Sequence, residues 1–287
     1  PIGDAALADI QEIINYREAL NTAVESLKTR RLDLALVCDL HRILLSGSRG
    51  MDRGPGCVRT IQNFIGRDAH IEHAIYVPPA PEDVPGALAD WEAYLQGEEK
   101  DVLVQLSVLK AQFELIHPFC DGNGRIGRML VPLILYEKGL IGSPMFYISA
   151  YLERNRPVYY ERLLAVSRDG DWNGWIAFFL HAIEEQAGAN GRKATAILDL
   201  YNEMKRTVPE VTRSQYAIAA IDALFKAPVF SSAEFYEQAA IPKVSGAKIL
   251  KDLEENELVQ VLQRGAGRRA SMYAFPRLLA ITEGDRL

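Results

Sequence analysis

The chain has few cysteines, no long apolar run and no surplus of positive charge, and each shortage removes a class of protein. Its three cysteines, Cys38, Cys57 and Cys120, are too few and too scattered for a disulfide framework, so a reducing cytoplasm is the expected setting. The longest apolar stretch, MLVPLIL, contains Pro132 and ends at Glu137-Lys138, which excludes a membrane-spanning helix. The balance of 32 basic against 38 acidic residues excludes a chain built wholly to coat nucleic acid. The start, PIGDAALADI, has an early Asp and no basic flank, so it is not a secretory signal. Pro1 in place of Met points to a chain that begins inside a longer gene product.

What is present is helical periodicity. DIQEIINYREALNTAVESL spaces Ile10, Ile13, Ile14 and Leu20 on one face, and LDLALVCDLHRILLSG repeats the pattern and closes at Gly47. Further helices are expected at PGALADWEAYL and over 101–118, 125–139, 156–168 and 171–186. Residues 58–78 mix β-branched, aromatic and polar residues and read as a short hairpin or flap. The domain boundary is expected at Val208-Pro209, giving domains 1–207 and 208–287. The second contains helices at 214–226, 231–239 and 243–256, and then strands ELVQVLQ and SMYAF about the turn RGAGRRA. Three short helices and a hairpin resemble a winged-helix domain.

One segment concentrates chemistry: His117-Pro-Phe-Cys-Asp-Gly-Asn-Gly-Arg-Ile-Gly-Arg128, between the helical runs AQFELI and IGRMLVPLILYEKGL. Gly122 and Gly124 allow a turn whose N–H groups converge where the next helix presents its unpaired donors, which makes an anion nest. Arg125 and Arg128 share a helix face beside it. Asp121 at its edge would be repelled by phosphate unless a divalent cation bridges them, and Mg²⁺ suits that bridge. His117 titrates near neutrality and suits proton removal from an attacking hydroxyl. Phe119 reads as a core anchor that fixes the loop's entry angle.

This string resembles the Fic family signature, H-x-F-x-[D/E]-G-N-G-R-x-x-R, and meets it at every fixed position. RTIQNFIG at 59–66, YVPPAPEDV at 76–84 and the pair Tyr159-Tyr160 extend the resemblance over roughly residues 10–185. It implies a mainly α fold: a Fic-type helical bundle with a β-hairpin flap, here followed by the small winged-helix-like domain. It also implies a nucleotidyltransferase that moves AMP from ATP onto a Tyr, Thr or Ser hydroxyl of a protein and releases pyrophosphate. In that reading His117 is the base, Asp121 holds Mg²⁺, and Asn123 with the amides of Gly122 and Gly124 cradles phosphates. Arg125 and Arg128 neutralise the β- and γ-phosphates, and Ile126 and Gly127 complete the phosphate-binding segment. Tyr159 and Tyr160 lie near the base and ribose, and Asn63, Phe64, Ile65 and Gly66 of the flap pair with the target protein. Ser167 stands where some relatives have an adenine-contacting Asn. Relatives that phosphorylate carry Lys in place of Gly124, which argues for AMP transfer here. Transfer of phosphocholine, or a nucleotide-sensing winged-helix regulator of DNA, are the competing readings.

The remaining features weigh less. Cys120 occupies a variable position of the signature, and His70-x-x-His73 lacks a third ligand nearby, so an exposed flap surface is expected there rather than a metal. Lys243, Lys248 and Lys251, with Arg264, Arg268 and Arg269, are a possible phosphate-contacting set, but Asp252, Glu254, Glu255 and Glu257 dilute it. Protein docking or a homo-oligomer is favoured over nucleic acid for residues 208–287. Many relatives carry an inhibitory pattern [S/T]-x-x-x-E-[G/N] whose Glu pairs with the second arginine. The nearest string here, Ser149-AYL-Glu153, continues with Arg154. The inhibitory segment is therefore expected upstream of Pro1, with Arg128 lacking a Glu partner and a longer form being less active.

Overall fold

A computed structural model describes the backbone except at 1–3, 48–49, 67, 69, 266–269 and 284–287; the side chains of 4–10 and 283 are likewise not described. The chain divides into two compact units, residues 1–187 and 188–287. In the first, α1 (Asp4–Leu27), α2 (Leu34–Leu45), α3 (Val84–Gln96), α4 (Val102–Ile116), α5 (Asn123–Glu137), α6 (Ser149–Arg154), α7 (Arg156–Asp169) and the start of α8 (Trp172–Thr212) enclose one core. Helix starts follow the sequence: Asp33 accepts the Leu36 N–H, and Asp101 those of Leu103 and Val104. Trp91 and Trp175 are buried with their indole N–H groups donating to the carbonyls of Leu109 and Ser107, at 3.0 and 2.7 Å.

α1 does not use its isoleucine stripe as expected. Ile13 and Ile14 are exposed, whereas Ala19 and Ala23 are buried. Two alanines permit close approach, and the same face brings Asn15 to the end of α2, where it donates to the carbonyls of Leu44 and Ser46. Those carbonyls lack helical donors, so satisfying them decides which face turns inward.

The flap is a short antiparallel pair, β1 (Ile65–Gly66) and β2 (Ala74–Tyr76), with Ile65 opposite Tyr76. α8 runs through Gly188 and Gly191 and past Val208-Pro209, ending at Thr212 instead of breaking at any of them. Pro209 lies in the last turn, so the helical bond it removes is one close to the end of α8.

The second unit has its own core of Met204, Ile221, Leu224, Phe230, Phe235, Leu250, Leu253 and Phe275. Besides the end of α8 it comprises α9 (Ala217–Lys226), α10 (Ser232–Gln238), α11 (Lys243–Glu255) and α12 (Pro276–Glu283). Its sheet has three strands rather than two: β3 (Val229–Ser231), β4 (Gln260–Gln263) and β5 (Met272–Ala274), in the order β3-β5-β4. α10 opens with a reciprocal capping box between Ser231 and Glu234.

Candidate active site

α4 ends at Ile116, and His117 turns into the left-handed region with φ 50°. A non-glycine residue there is held by its surroundings. Its Nδ1 lies 3.2 Å from the Glu114 carbonyl, so Nδ1 carries the proton and Nε2 keeps a free lone pair. Burial pushes the imidazole below its usual pKa, opposed by Glu114 and reinforced by Arg59. The ring is thus a neutral base at pH 7.

The loop after His117 is braced from two sides. Phe119 is fully buried and stacks on His41, with centroids 3.8 Å apart. His41 accepts the Gly56 N–H at Nδ1 and donates from Nε2 to the Asp121 carbonyl, both at 2.9 Å. Burial lowers the pKa of His41 as well. Asn123 spends its amide on Phe119, accepting its N–H at 2.9 Å and donating to its carbonyl at 2.7 Å. Gly122 has φ 79°, and a Cβ there would lie 3.2 Å from His41 Nε2. α5 begins at Asn123, two residues earlier than the periodicity suggested, so Asn123 and Gly124 contribute unpaired N–H groups of its first turn.

The arginines project from that turn. Arg125 lies 3.2 Å from Glu12 of α1 and 3.6 Å from Asp121. No ion pair of Arg128 occurs among the described residues. Arg128, Tyr147, Glu153, Arg156, Tyr159 and Tyr160 line an open cavity of about 530 Å³. Glu153 shares that cavity and lies 3.4 Å from Arg156. Ile126 is buried in the core, and Gly127 faces the buried Lys110–Glu114 pair of α4.

One Asp121 oxygen accepts the Gly122 N–H, and the side chain is 44% exposed. No group of three or more His, Cys, Asp or Glu residues able to hold a metal occurs among the described residues. A single accessible carboxylate fits Mg²⁺ only as a shared site, completed by phosphate oxygens and water.

The flap and α7 enclose a second cavity, of about 280 Å³, lined by Ile65, Ile75, Glu114, Tyr160, Leu163 and Leu164 among others. The tyrosine pair divides as adjacent helical positions must. Tyr159 is 9% exposed and approaches the Lys110 ammonium at 3.5 Å, while Tyr160 is 44% exposed and borders both cavities. Ser167 lies close to the Tyr76 hydroxyl at the flap's end. Among the flap residues, Asn63 donates to the Phe119 carbonyl at 3.1 Å, and Ile65 and Gly66 form β1. Phe64 is half-buried.

Residue-level reading missed His41, Arg59, Glu12 and the Lys110–Glu114 pair. Arg59 opens the RTIQNFIG string, so its position was available in the sequence and its contacts were not. His73 pairs with Asp68 on an exposed surface. In the second unit Lys243, Lys248 and Lys251 are exposed on α11, Arg264 pairs with Glu254, and Arg268 and Arg269 lie outside the described residues. No described helix is long and apolar enough to cross a membrane.

Comparison with known proteins agrees with the geometry. Residues 31–135 match the model of the Fic/DOC family. The chain is 29% identical over 140 residues to the protein adenylyltransferase fic-1 of Caenorhabditis briggsae, covering 47% of this chain and 26% of that protein. It is 41% identical over 91 residues to a probable protein adenylyltransferase of Aquifex aeolicus, covering 30% and 28%. With the protein adenylyltransferase Fic of Nematostella vectensis it shares 26% over 211 residues, covering 71% and 45%. The chain thus spans from 26% to 45% of the length of these curated relatives. Among solved structures, a Fic family protein from Desulfovibrio desulfuricans superposes with a TM-score of 0.56 at 20% identity, covering 93% of this chain and 75% of that one. Residues 31–135 are thus similar to the Fic/DOC family, and the mainly α fold is similar to that of a Fic family protein.

Proposed function

We propose that this protein is an adenylyltransferase that moves AMP from ATP to a Tyr, Thr or Ser hydroxyl of another protein. The observation that carries the reading is the placement of a neutral His117, its Nε2 lone pair free, at one end of a braced loop whose other end is the N-terminus of α5 with Arg125 and Arg128. Nε2 takes the proton of the target hydroxyl as its oxygen bonds to the α-phosphorus. The bond from that phosphorus to the bridging oxygen breaks, and pyrophosphate leaves. The backbone N–H groups at Asn123 and Gly124 and the two guanidinium groups meet the phosphate charge, so positioning and electrostatics supply most of the acceleration. Mg²⁺ held by Asp121 and the phosphates would add charge neutralisation there. Because the Asn123 amide is committed to Phe119, its contribution to phosphate is its backbone N–H.

The slot between flap and α7 suits a purine, with Ile65, Leu163 and the Tyr160 ring offering apolar and aromatic faces. The flap strand β1 suits backbone pairing with an extended target segment. The second unit, with three short helices and a three-stranded sheet, supports a winged-helix reading and a role in protein docking or self-association. The cysteine usage supports a cytoplasmic setting.

The test is incubation with labelled ATP and Mg²⁺ in lysate, with intact-mass analysis of labelled proteins. Wild type is expected to add the mass of AMP and His117→Ala to add nothing. Equal labelling by both, or the mass of phosphate or phosphocholine, overturns the proposal.

A further inference from the structure

An α-helix ends with four carbonyls that have no donor within the helix. In α4 these belong to residues 113–116, and their partners divide in two groups. His117 itself supplies the first two, its backbone N–H to Phe113 at 3.1 Å and its Nδ1–H to Glu114. The flap region supplies the rest: the Tyr76 hydroxyl to Leu115 at 2.8 Å, and Arg59 Nη2 to Ile116 at 3.3 Å. Arg59 Nε then reaches the His117 carbonyl at 3.0 Å, and its backbone N–H the Pro118 carbonyl at 2.9 Å.

The same guanidinium faces the other way as well. It donates to Ile61 at 3.3 Å and to Pro79 at 2.6 Å, the two ends of the flap. Arg59 is 3% exposed, and no carboxylate pairs with it among the described residues. A buried charge of this kind persists only where hydrogen bonds replace its lost hydration. Here four of the five N–H groups of a rigid fork meet carbonyls, two of them at the negative end of a helix dipole. An apolar side chain would fill the volume without joining the flap to the turn.

We propose that Arg59 is the positioning residue that sets the register of the flap against His117, so that a target strand paired to β1 presents its hydroxyl at Nε2. What is presented rests on the adenylyl-transfer reading; the mechanical coupling does not. Displacing a reacting group by about 1 Å costs on the order of 100-fold in rate.

The test uses the full chain. Arg59→Lys keeps the charge and loses the fork, and Tyr76→Phe removes a single bond to Leu115. Three quantities are measured: labelling of lysate proteins, affinity for a non-hydrolysable ATP analogue with Mg²⁺, and hydrogen exchange at 62–66 and 115–119. Arg59→Lys is expected to label about 100-fold less with analogue affinity within about threefold of wild type. Both segments should exchange faster together. Tyr76→Phe should give a smaller change of the same kind, and it decides the matter if Arg59→Lys does not fold. Unchanged labelling, a loss matched by lost ATP affinity, or faster exchange confined to the flap overturns the proposal. If wild type labels no protein, adenylyl transfer fails while the exchange result still decides the coupling.

Discussion

Gly124 and Gly127 stand three residues apart on α5, yet the same substitution should do opposite things to them. A Cβ on Gly127 would land on the Glu114 carboxylate and 2.9 Å from Lys110 Nζ. Lys110 is buried and Glu114 mostly so, and the two are paired, so moving either aside breaks the pair. Gly127→Ala is expected to cost about 1–3 kcal/mol in urea unfolding. A Cβ on Gly124 meets only the end of Arg128, at 3.2 Å. Gly124→Ala should leave stability unchanged or raise it by up to about 1 kcal/mol, since alanine favours the helix. It makes the Arg128 guanidinium give by a few tenths of an ångström, and the expected readout is a higher KM for ATP. Buried His41 and half-buried His117 set the pH response. His41 and His117 both have pKa values lowered by burial, so the unfolded chain binds protons first as pH falls. Their stabilisation is complete above the ordinary histidine pKa and is lost as pH drops through it toward the lower folded values. Tm should therefore fall between pH 7.5 and 5.5, less steeply in His41→Gln. The acid limb of AMP transfer should lie below the ordinary value of about 6.5.

At the scale of elements, the slot between β1–β2 and α7 makes a separate claim. Tyr160 is half-exposed there, so its loss removes ring contact without opening the core. Tyr160→Ala should raise the KM for ATP roughly tenfold, with kcat little changed, as expected for about 1–3 kcal/mol of stacking on a base. Tyr159→Ala instead removes a side chain packed near Trp175 and the Lys110–Glu114 pair, and should unfold the bundle at lower temperature. The motif and its flanking helices were legible because their signal is local: a turn needs glycine, and a helix face repeats. The braces were not legible. His41 bonds Gly56, 15 positions away, and Asp121, 80 positions away, and nothing in LDLALVCDLHRILL separates such a histidine from any other on an apolar face. Ile13 and Ile14 misled for the converse reason: their spacing marks a face, but the carbonyls that Asn15 satisfies decide which face is buried.

At the scale of the molecule, the helix expected over 171–186 continues as α8 through Gly188 and Gly191 to Thr212, since a glycine inside a helix costs only about 1 kcal/mol relative to alanine. The two cores are nonetheless distinct: one is lined by residues up to Ile183, the other by residues from Leu200 onward. Each has its own buried leucines, which allows them to be perturbed one at a time. Leu250→Ala and Leu133→Ala both empty sites with at most 1% exposure and should each cost about 2–5 kcal/mol. In calorimetry Leu250→Ala should lower one component of the melting profile and leave ATP affinity intact. Leu133→Ala should lower the other component and weaken ATP binding, because α5 carries Arg125 and Arg128. Saturating ATP stabilises only the fold that binds it, so in wild type it should raise the second of these components alone. A single component shifting as a whole in all three experiments would mean instead that α8 makes the two cores unfold as one.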